Sequence, residues 1–196
     1  MHRFFPTILE TIAAAFILVP LYWHLNKKYY HNKKETIETA LFGLYICAVY
    51  AVVGLPNVTY FRYDPHINLT PFAYMFSDYE STILNVILFL PMGLFLPILW
   101  KEFQSILKIL FFGFCTSLFI ELLQIFTFRA TDINDLMTNT LGTLLGYFVA
   151  RILLKCKPEL YTGERTGHLF VTCGISFCVM FFIQPFLSHL LWFILL

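Results

Sequence analysis

ELLQIFTFRATDINDLMTNTLGTLLG, residues 121–146, reads as the end of one apolar helix, a short turn through Arg129 and the start of a second apolar helix. Glu121, Asp132 and Asp135 are set in it among residues that otherwise belong in lipid. Ionisable groups at membrane depth are costly, and where they persist they mark a functional site by default. Two questions follow together: what surrounds these groups, and what they bind.

Composition answers the first. The chain has 196 residues, of which 59% are hydrophobic, 13% are charged and 23 are phenylalanine, against about 25% charged residues in a typical soluble domain. Apolar segments of about 20 residues cross a bilayer as helices, and six are expected, near residues 4–24, 36–55, 82–100, 103–126, 133–154 and 168–187. The fold class is therefore all-α, a multi-pass membrane helical bundle forming a single membrane domain over residues 1–196. The first segment is read as a membrane helix and not a signal peptide. Its apolar stretch exceeds the usual core of about 7–15 residues, and no small-residue cleavage site follows it.

Orientation follows from Lys and Arg in the short loops. The first, third and fifth loops hold Lys27, Lys28, Lys33, Lys34, Lys101, Lys108, Arg151, Lys155, Lys157 and Arg165, ten of the thirteen basic residues, against Arg3, Arg62 and Arg129 on the other side. Both termini are predicted outside, with the loops at 56–81 and 127–132. A formal net charge of +1 gives no nucleic-acid footprint, so the lipid bilayer is the expected partner. Cys47, Cys115, Cys156, Cys173 and Cys178 lack the spacing of a zinc site or a disulfide framework. They are read as packing residues, and no metal or cofactor is expected.

With this topology the polar residues converge. Asn85 near the outer end of helix three, Glu121 and Gln124 at the end of helix four, and Asp135 and Asn139 at the start of helix five all fall toward the outer leaflet. Positions three or four apart share a helical face. Glu121 and Gln124 share one, and Asp132, Asp135, Asn139, Gly142 and Gly146 form a stripe on the next helix. Gly142 and Gly146 make a G-x-x-x-G pattern that admits a close neighbour, within the chain or from a second copy. Arg129, in the turn, has a planar fork suited to a carboxylate or phosphate.

Each of these residues also has a structural reading. Asp132 suits a helix N-cap, and Asp135 the positive end of the helix dipole. Glu121 opposes the dipole at its own helix end, so its structural alternative is an ion pair with Arg129. Helix three, NVILFLPMGLFLP from Asn85 to Pro97, contains Pro91, Gly93 and Pro97; it is either a bent helix lining a cavity or a shaped packing surface. The segment 56–81 carries Tyr60, Phe61, Tyr63, Phe72, Tyr74, Phe76 and Tyr79. These are aromatics of a membrane interface, expected partly as a re-entrant or interfacial helix. Gln184, beside Pro185, is read as satisfying a local backbone group.

NLTPF at 68–72, NVILFLPMGLFLP at 85–97, and then Glu121, Gln124, Arg129, Asp132, Asp135, Asn139, Gly142 and Gly146 together resemble the VanZ-like family of bacterial membrane proteins, over a core of about residues 40–155. The resemblance implies a Gram-positive bacterial cell membrane. It also implies a role in low-level resistance to the lipoglycopeptide teicoplanin, with little protection against vancomycin, and marks the matched polar residues as functional positions. The first reading is an outer-leaflet polar site for an amphiphile, either a lipoglycopeptide or an envelope lipid. The second is a membrane enzyme acting on a lipid-linked envelope precursor, with the acids as general acid and base or holding a divalent cation. Whether the chain is catalytic stays open, with catalysis the weaker reading, because no serine–base pair, H-E-x-x-H or phosphate-binding glycine loop is present. A third, a small-molecule or lipid transporter, is disfavoured by the absence of an internal repeat and by the gathering of polar groups at one face.

Overall fold

A computed structural model of the chain describes residues 4–25, 33–73, 78–161, 163 and 166–195. Arg3, Lys27, Lys28 and Arg165 of the orientation argument, and Tyr74 and Phe76 of the aromatic segment, lie outside the described residues. The helices are α1 (Phe4–Leu25), α2 (Lys33–Val53), α3 (Tyr79–Leu99), α4 (Ile106–Gln124), α5 (Ile133–Cys156), α6 (Thr166–Cys178) and α7 (Gln184–Leu195), with a π-helical turn at Val179–Ile183 joining α6 to α7. Short 3-10 turns at Lys101–Gln104 and Pro158–Leu160 follow α3 and α5. Among the described residues six stretches are long and apolar enough to cross a membrane, the last running from Gly167 to Phe193 through the π turn. The architecture is all-α. Among the described residues its strand content is two three-residue strands, β1 (His66–Asn68) and β2 (Ala130–Asp132), paired in parallel. Of the described part of the aromatic segment, residues 56–73 are strand, turn and extended chain, and Tyr79–Ser81 form the start of α3.

By internal contacts the chain forms two compact units, Met1–Phe61 with Gly167–Leu196, and Arg62–Thr166. In the first, Ala14, Leu18 and Tyr22 of α1, Cys47 and Tyr50 of α2, and Val179 and Met180 form the core. Gly43 makes room for it, since a Cβ there would lie 2.9 Å from the Tyr22 hydroxyl. Pro185 brings no N–H to the preceding turn, and the Phe181 carbonyl in that turn accepts the Val58 N–H at 3.0 Å. A backbone group from the loop thus answers the proline.

In the second unit α5 is the centre. A methyl group at Gly142 would run into the Val86 carbonyl, one at Gly146 into the Leu90 carbonyl, and one at Gly93 into the Thr143 carbonyl. α3 and α5 therefore meet backbone to backbone, the approach small residues allow between membrane helices. On α4, a Cβ at Gly113 would sit 2.8 Å from the Thr143 side chain. α3 runs through Pro91 and Pro97 as one helix, although each proline deprives a carbonyl one turn earlier of its helical donor. With Gly93 and Pro97 buried, this stretch is packing surface.

The outward faces are apolar at helical spacing: Leu107, Phe111, Phe114, Leu118 and Leu122 on α4, and Met137, Leu141, Leu145, Phe148 and Ile152 on α5, are all exposed. The inward faces hold Ser117, Glu121 and Gln124, and Asn134, Thr138, Asn139 and Thr143, all buried. Such an arrangement is favourable in hydrocarbon, where interior polar groups find partners and lipid meets carbon.

Gly146→Val should lower stability by about 1–3 kcal/mol, the usual cost of overpacking, read as a lower thermal midpoint of the purified protein in detergent. Gly174→Ala, where an added Cβ meets nothing within 4 Å, should leave the midpoint unchanged. Equal midpoints for Gly146→Val and the parent would contradict the close α3–α5 approach.

Candidate functional site at the start of α5

The site is built around the junction between α4 and α5. Asp132 is the N-cap of α5, its Oδ1 accepting the Asn134 N–H at 2.8 Å. Its other oxygen accepts from Asn68 Nδ2 at 3.1 Å. That contact is set by the parallel pairing of β1 with β2, which brings His66, Ile67 and Asn68 opposite Ala130, Thr131 and Asp132. The Asp132 N–H donates to Glu121 Oε2 at 2.8 Å, and the Thr131 hydroxyl donates to the Glu121 carbonyl at 2.9 Å. Glu121, only 3% exposed, thus joins the last turn of α4 to the cap of α5. Its carboxylate is engaged by a backbone amide from the next element, a role distinct from the ion pair with Arg129 weighed from the sequence.

Asn134, the second residue of α5, fastens the loop at 62–73. Its Oδ1 accepts the Phe72 N–H at 2.6 Å, and its Nδ2 donates to the Ala73 and Thr70 carbonyls at 3.0 and 3.4 Å. Phe72 has φ 61°, a left-handed conformation that costs a bulky residue energy. The Asn134 amide holds it there. Two further bonds tie the strand-side chain to the end of α4, from Arg62 N–H to Phe126 O at 3.0 Å and from Asp64 N–H to Ile125 O at 2.9 Å.

Between these elements lies a polar cleft of ≈ 210 Å³. Gln124, Arg129, Asp132 and Asp135 line it, joined by Asn134 and by Asp78 with Ser81 and Thr82 from the start of α3. Asp78 caps α3, accepting the Ser81 N–H at 3.4 Å. Arg129 is the positive charge acting on the Asp135 carboxyl, with Asp132 and Asp78 the negative ones. Asn85 is half-buried beside Asp135, its Nδ2 approaching that carboxyl without completing a hydrogen bond of standard geometry. Exposed Tyr63, Ile67, Leu69, Phe72 and Phe128 belong to the same loops, and the Arg62 guanidinium lies 6.0 Å from the Phe128 ring centroid.

Of the residues singled out from the sequence, Gln124, Arg129, Asp132 and Asp135 come together in the cleft, with Asn85 at its edge. Glu121 sits behind the junction. Asn139 lies one turn deeper, where its Nδ2 donates to Ser117 Oγ at 2.9 Å and links α5 to α4. Gly93, Gly142 and Gly146 belong to the α3–α5 contact, and neither they nor Pro91, within α3, line the cleft. Asn134, Asp78, Ser81 and Thr82 are the lining residues that sequence reasoning missed. Asp78 with Ser81 three residues on, ahead of an apolar run, is a legible N-cap signal, but it says nothing of proximity to α5. The lining carries three carboxylates against one guanidinium and mixes amide and hydroxyl groups. Such a surface can accept from ammonium or amide donors while Arg129 engages a carboxylate or phosphate.

A family model described as VanZ/LLP1 matches residues 42–154. Protein VanZ of Enterococcus faecium is 43% identical over 81 residues, 41% of this chain and 49% of that relative. The chain thus spans about half the length of the curated relative it matches. No solved structure matches.

Asn134→Ala should expose the Phe72 amide and release the loop at 62–73, read as accelerated hydrogen exchange confined to that segment, at a cost of about 1–3 kcal/mol for the bonds lost. Glu121→Gln keeps an oxygen to accept the Asp132 N–H and should retain most stability, whereas Glu121→Ala should lower the thermal midpoint. Identical midpoints for the two Glu121 variants would refute the structural role given to its carboxyl oxygen.

Proposed function

The chain belongs to the VanZ/LLP1 family, and from that membership we propose that it lowers susceptibility to the lipoglycopeptide teicoplanin, at a low level, through a polar cleft that binds an amphiphile. The cleft faces the outside of a bacterial cell membrane. The charge distribution along the second unit supports this orientation. Arg62 and Arg129 lie at the cleft end, whereas Lys101, Lys108, Arg151, Lys155 and Lys157 lie at or next to the opposite ends of the same helices, the asymmetry expected when the basic end is cytoplasmic.

The observation that carries the reading is the cleft itself, ≈ 210 Å³ and lined by Arg129, Asp132, Asp135 and Gln124, in loops that also expose Phe72, Phe128 and Tyr63. A ligand that is polar at one end and apolar at the other satisfies both surfaces. Its donors meet the Asp135 carboxyl, its anionic groups meet Arg129, and its acyl or aryl part lies against the exposed aromatics at the interface. The ligand is the lipoglycopeptide or an envelope lipid whose display governs drug binding. Asp132 and Glu121 act mainly by holding the frame, since both Asp132 carboxyl oxygens and Glu121 Oε2 are engaged in the cap and junction bonds.

Expression of the chain in a susceptible Gram-positive host should raise the inhibitory concentration of teicoplanin and leave that of vancomycin nearly unchanged. Asp135→Asn, at matched membrane level, should remove the protection. A charge-assisted contact of about 1.5–3 kcal/mol corresponds to roughly 10- to 100-fold in affinity. Protection undiminished in Asp135→Asn would refute the site, and absence of selective protection by the parent chain would refute the resistance role.

A further inference from the structure

We propose that the cavity at the C-terminal end of α5 binds the headgroup of a net-anionic membrane phospholipid. This cavity, ≈ 600 Å³, is lined by Arg151 and Lys155 with Gln104 and Tyr161 beside them and Phe148 and Ile152 as apolar wall. It lies about 30 Å along α5 from Asp135, at the 1.5 Å rise per residue of a helix, so it is separate from the polar cleft and independent of the reading given to that cleft.

The chain builds the cavity from both sides. On one side the Tyr147 hydroxyl donates to the Gln104 carbonyl at 2.9 Å and fixes the 3-10 turn after α3 against α5. On the other, Lys157 N–H donates to Leu153 O at 2.7 Å, and Leu160 and Tyr161 N–H groups donate to Lys157 O and Pro158 O at 3.1 Å each. These bonds fold the chain back in a 3-10 turn and bring Tyr161 to the lining. Arg151 and Lys155 stand one helical turn apart on a common face. Among the described residues neither side chain has an ion-pair partner. Among the described residues the lining holds two cations and no carboxylate.

A cation in the last turn of a helix favours the dipole, and basic residues collect at the cytoplasmic ends of membrane helices. Those rules account for the sign of the charge, but not for an open cavity whose lining brings Gln104 and Tyr161 together with both cations. The fitting occupant is anionic, because both lining cations are exposed and a single anion can reach the two charges together. It must also have an apolar continuation, because Ile152 and Phe148 extend the wall onto the exposed apolar face of α5. Basic pockets between membrane helices bind acidic phospholipid headgroups by this combination.

The full chain in detergent, offered equimolar phosphatidylglycerol and phosphatidylethanolamine, should retain phosphatidylglycerol preferentially in native mass spectrometry. The preference should be on the order of tenfold or more, given two cations at the membrane surface. The pair Arg151→Gln with Lys155→Gln should bring the two lipids to parity. The pair Lys101→Gln with Lys108→Gln removes the same charge outside the cavity lining and should keep the preference. Equal loss in both pairs would mean a diffuse basic surface and would overturn the proposal, as would no preference in the parent. A parallel arm on the parent needs no variant. Glycerol 3-phosphate at millimolar concentration should fail to displace phosphatidylglycerol, and displacement would reassign the cavity to a soluble anion.

Discussion

The rest of the second unit depends on the contact between α3 and α5, where Gly93, Gly142 and Gly146 let two helix backbones approach with no side chain between them. In a bilayer, helices gain little from hiding apolar surface from one another, so close van der Waals contact becomes a leading source of association. The approach also sets the distance between the helix ends. With Gly142 against Val86, the first turns of α3 and α5 come side by side. Asp78, Ser81 and Thr82 then share a cleft with Asp135. Packing by glycine in the middle of the helices and assembly of polar groups at one end are two consequences of one contact.

The junction of α4 with α5 solves a second problem of the same medium. A buried helix end leaves backbone amides without partners, and each costs free energy if it stays unmet. Asp132 answers one amide of α5, while Glu121 answers the amide of Asp132 itself. Asn68 and Asn134 extend the network to the loop at 62–73. A hydrogen-bonded network of this kind keeps carboxylates and amides in fixed positions beneath a surface lined by Arg129 and Asp135. For the proposed ligand, partners already oriented in this way would reduce the ordering cost of binding.

α5 joins two chemically opposite ends. At its start acids and amides line a cleft with Arg129, and at its finish Arg151 and Lys155 line a larger cavity with no carboxylate among the described residues. Between them the helix shows carbon to its exposed side and small or hydroxyl-bearing residues to α3 and α4. Thr138, Thr140 and Thr143 return their hydroxyls to the Asn134, Leu136 and Asn139 carbonyls. They thereby carry polar atoms through the span without leaving donors unmet.

The membrane class, the six spans and the nearness of Glu121, Gln124, Asp132 and Asp135 were all legible in the sequence. Hydropathy is a sum over neighbouring residues, and helical spacing places residues three or four apart on one face. The capping role of Asp132 was legible for the same reason, being local. The partner of Glu121 was not: the amide of Asp132 and the guanidinium of Arg129 lie in the same turn, and only the path of the chain through β2 chooses between them. Nor was Asn134, whose partners Thr70, Phe72 and Ala73 stand 61 to 64 positions away. The fate of the G-x-x-x-G stripe was equally undetermined, because glycine spacing states that a backbone can come close and not whose. The sequence alone thus determined which segments belong in lipid and which polar residues share a helix face. Tertiary structure decided which of those residues line the cleft, which hold its frame and which helices touch, because those outcomes depend on contacts between segments far apart in the chain.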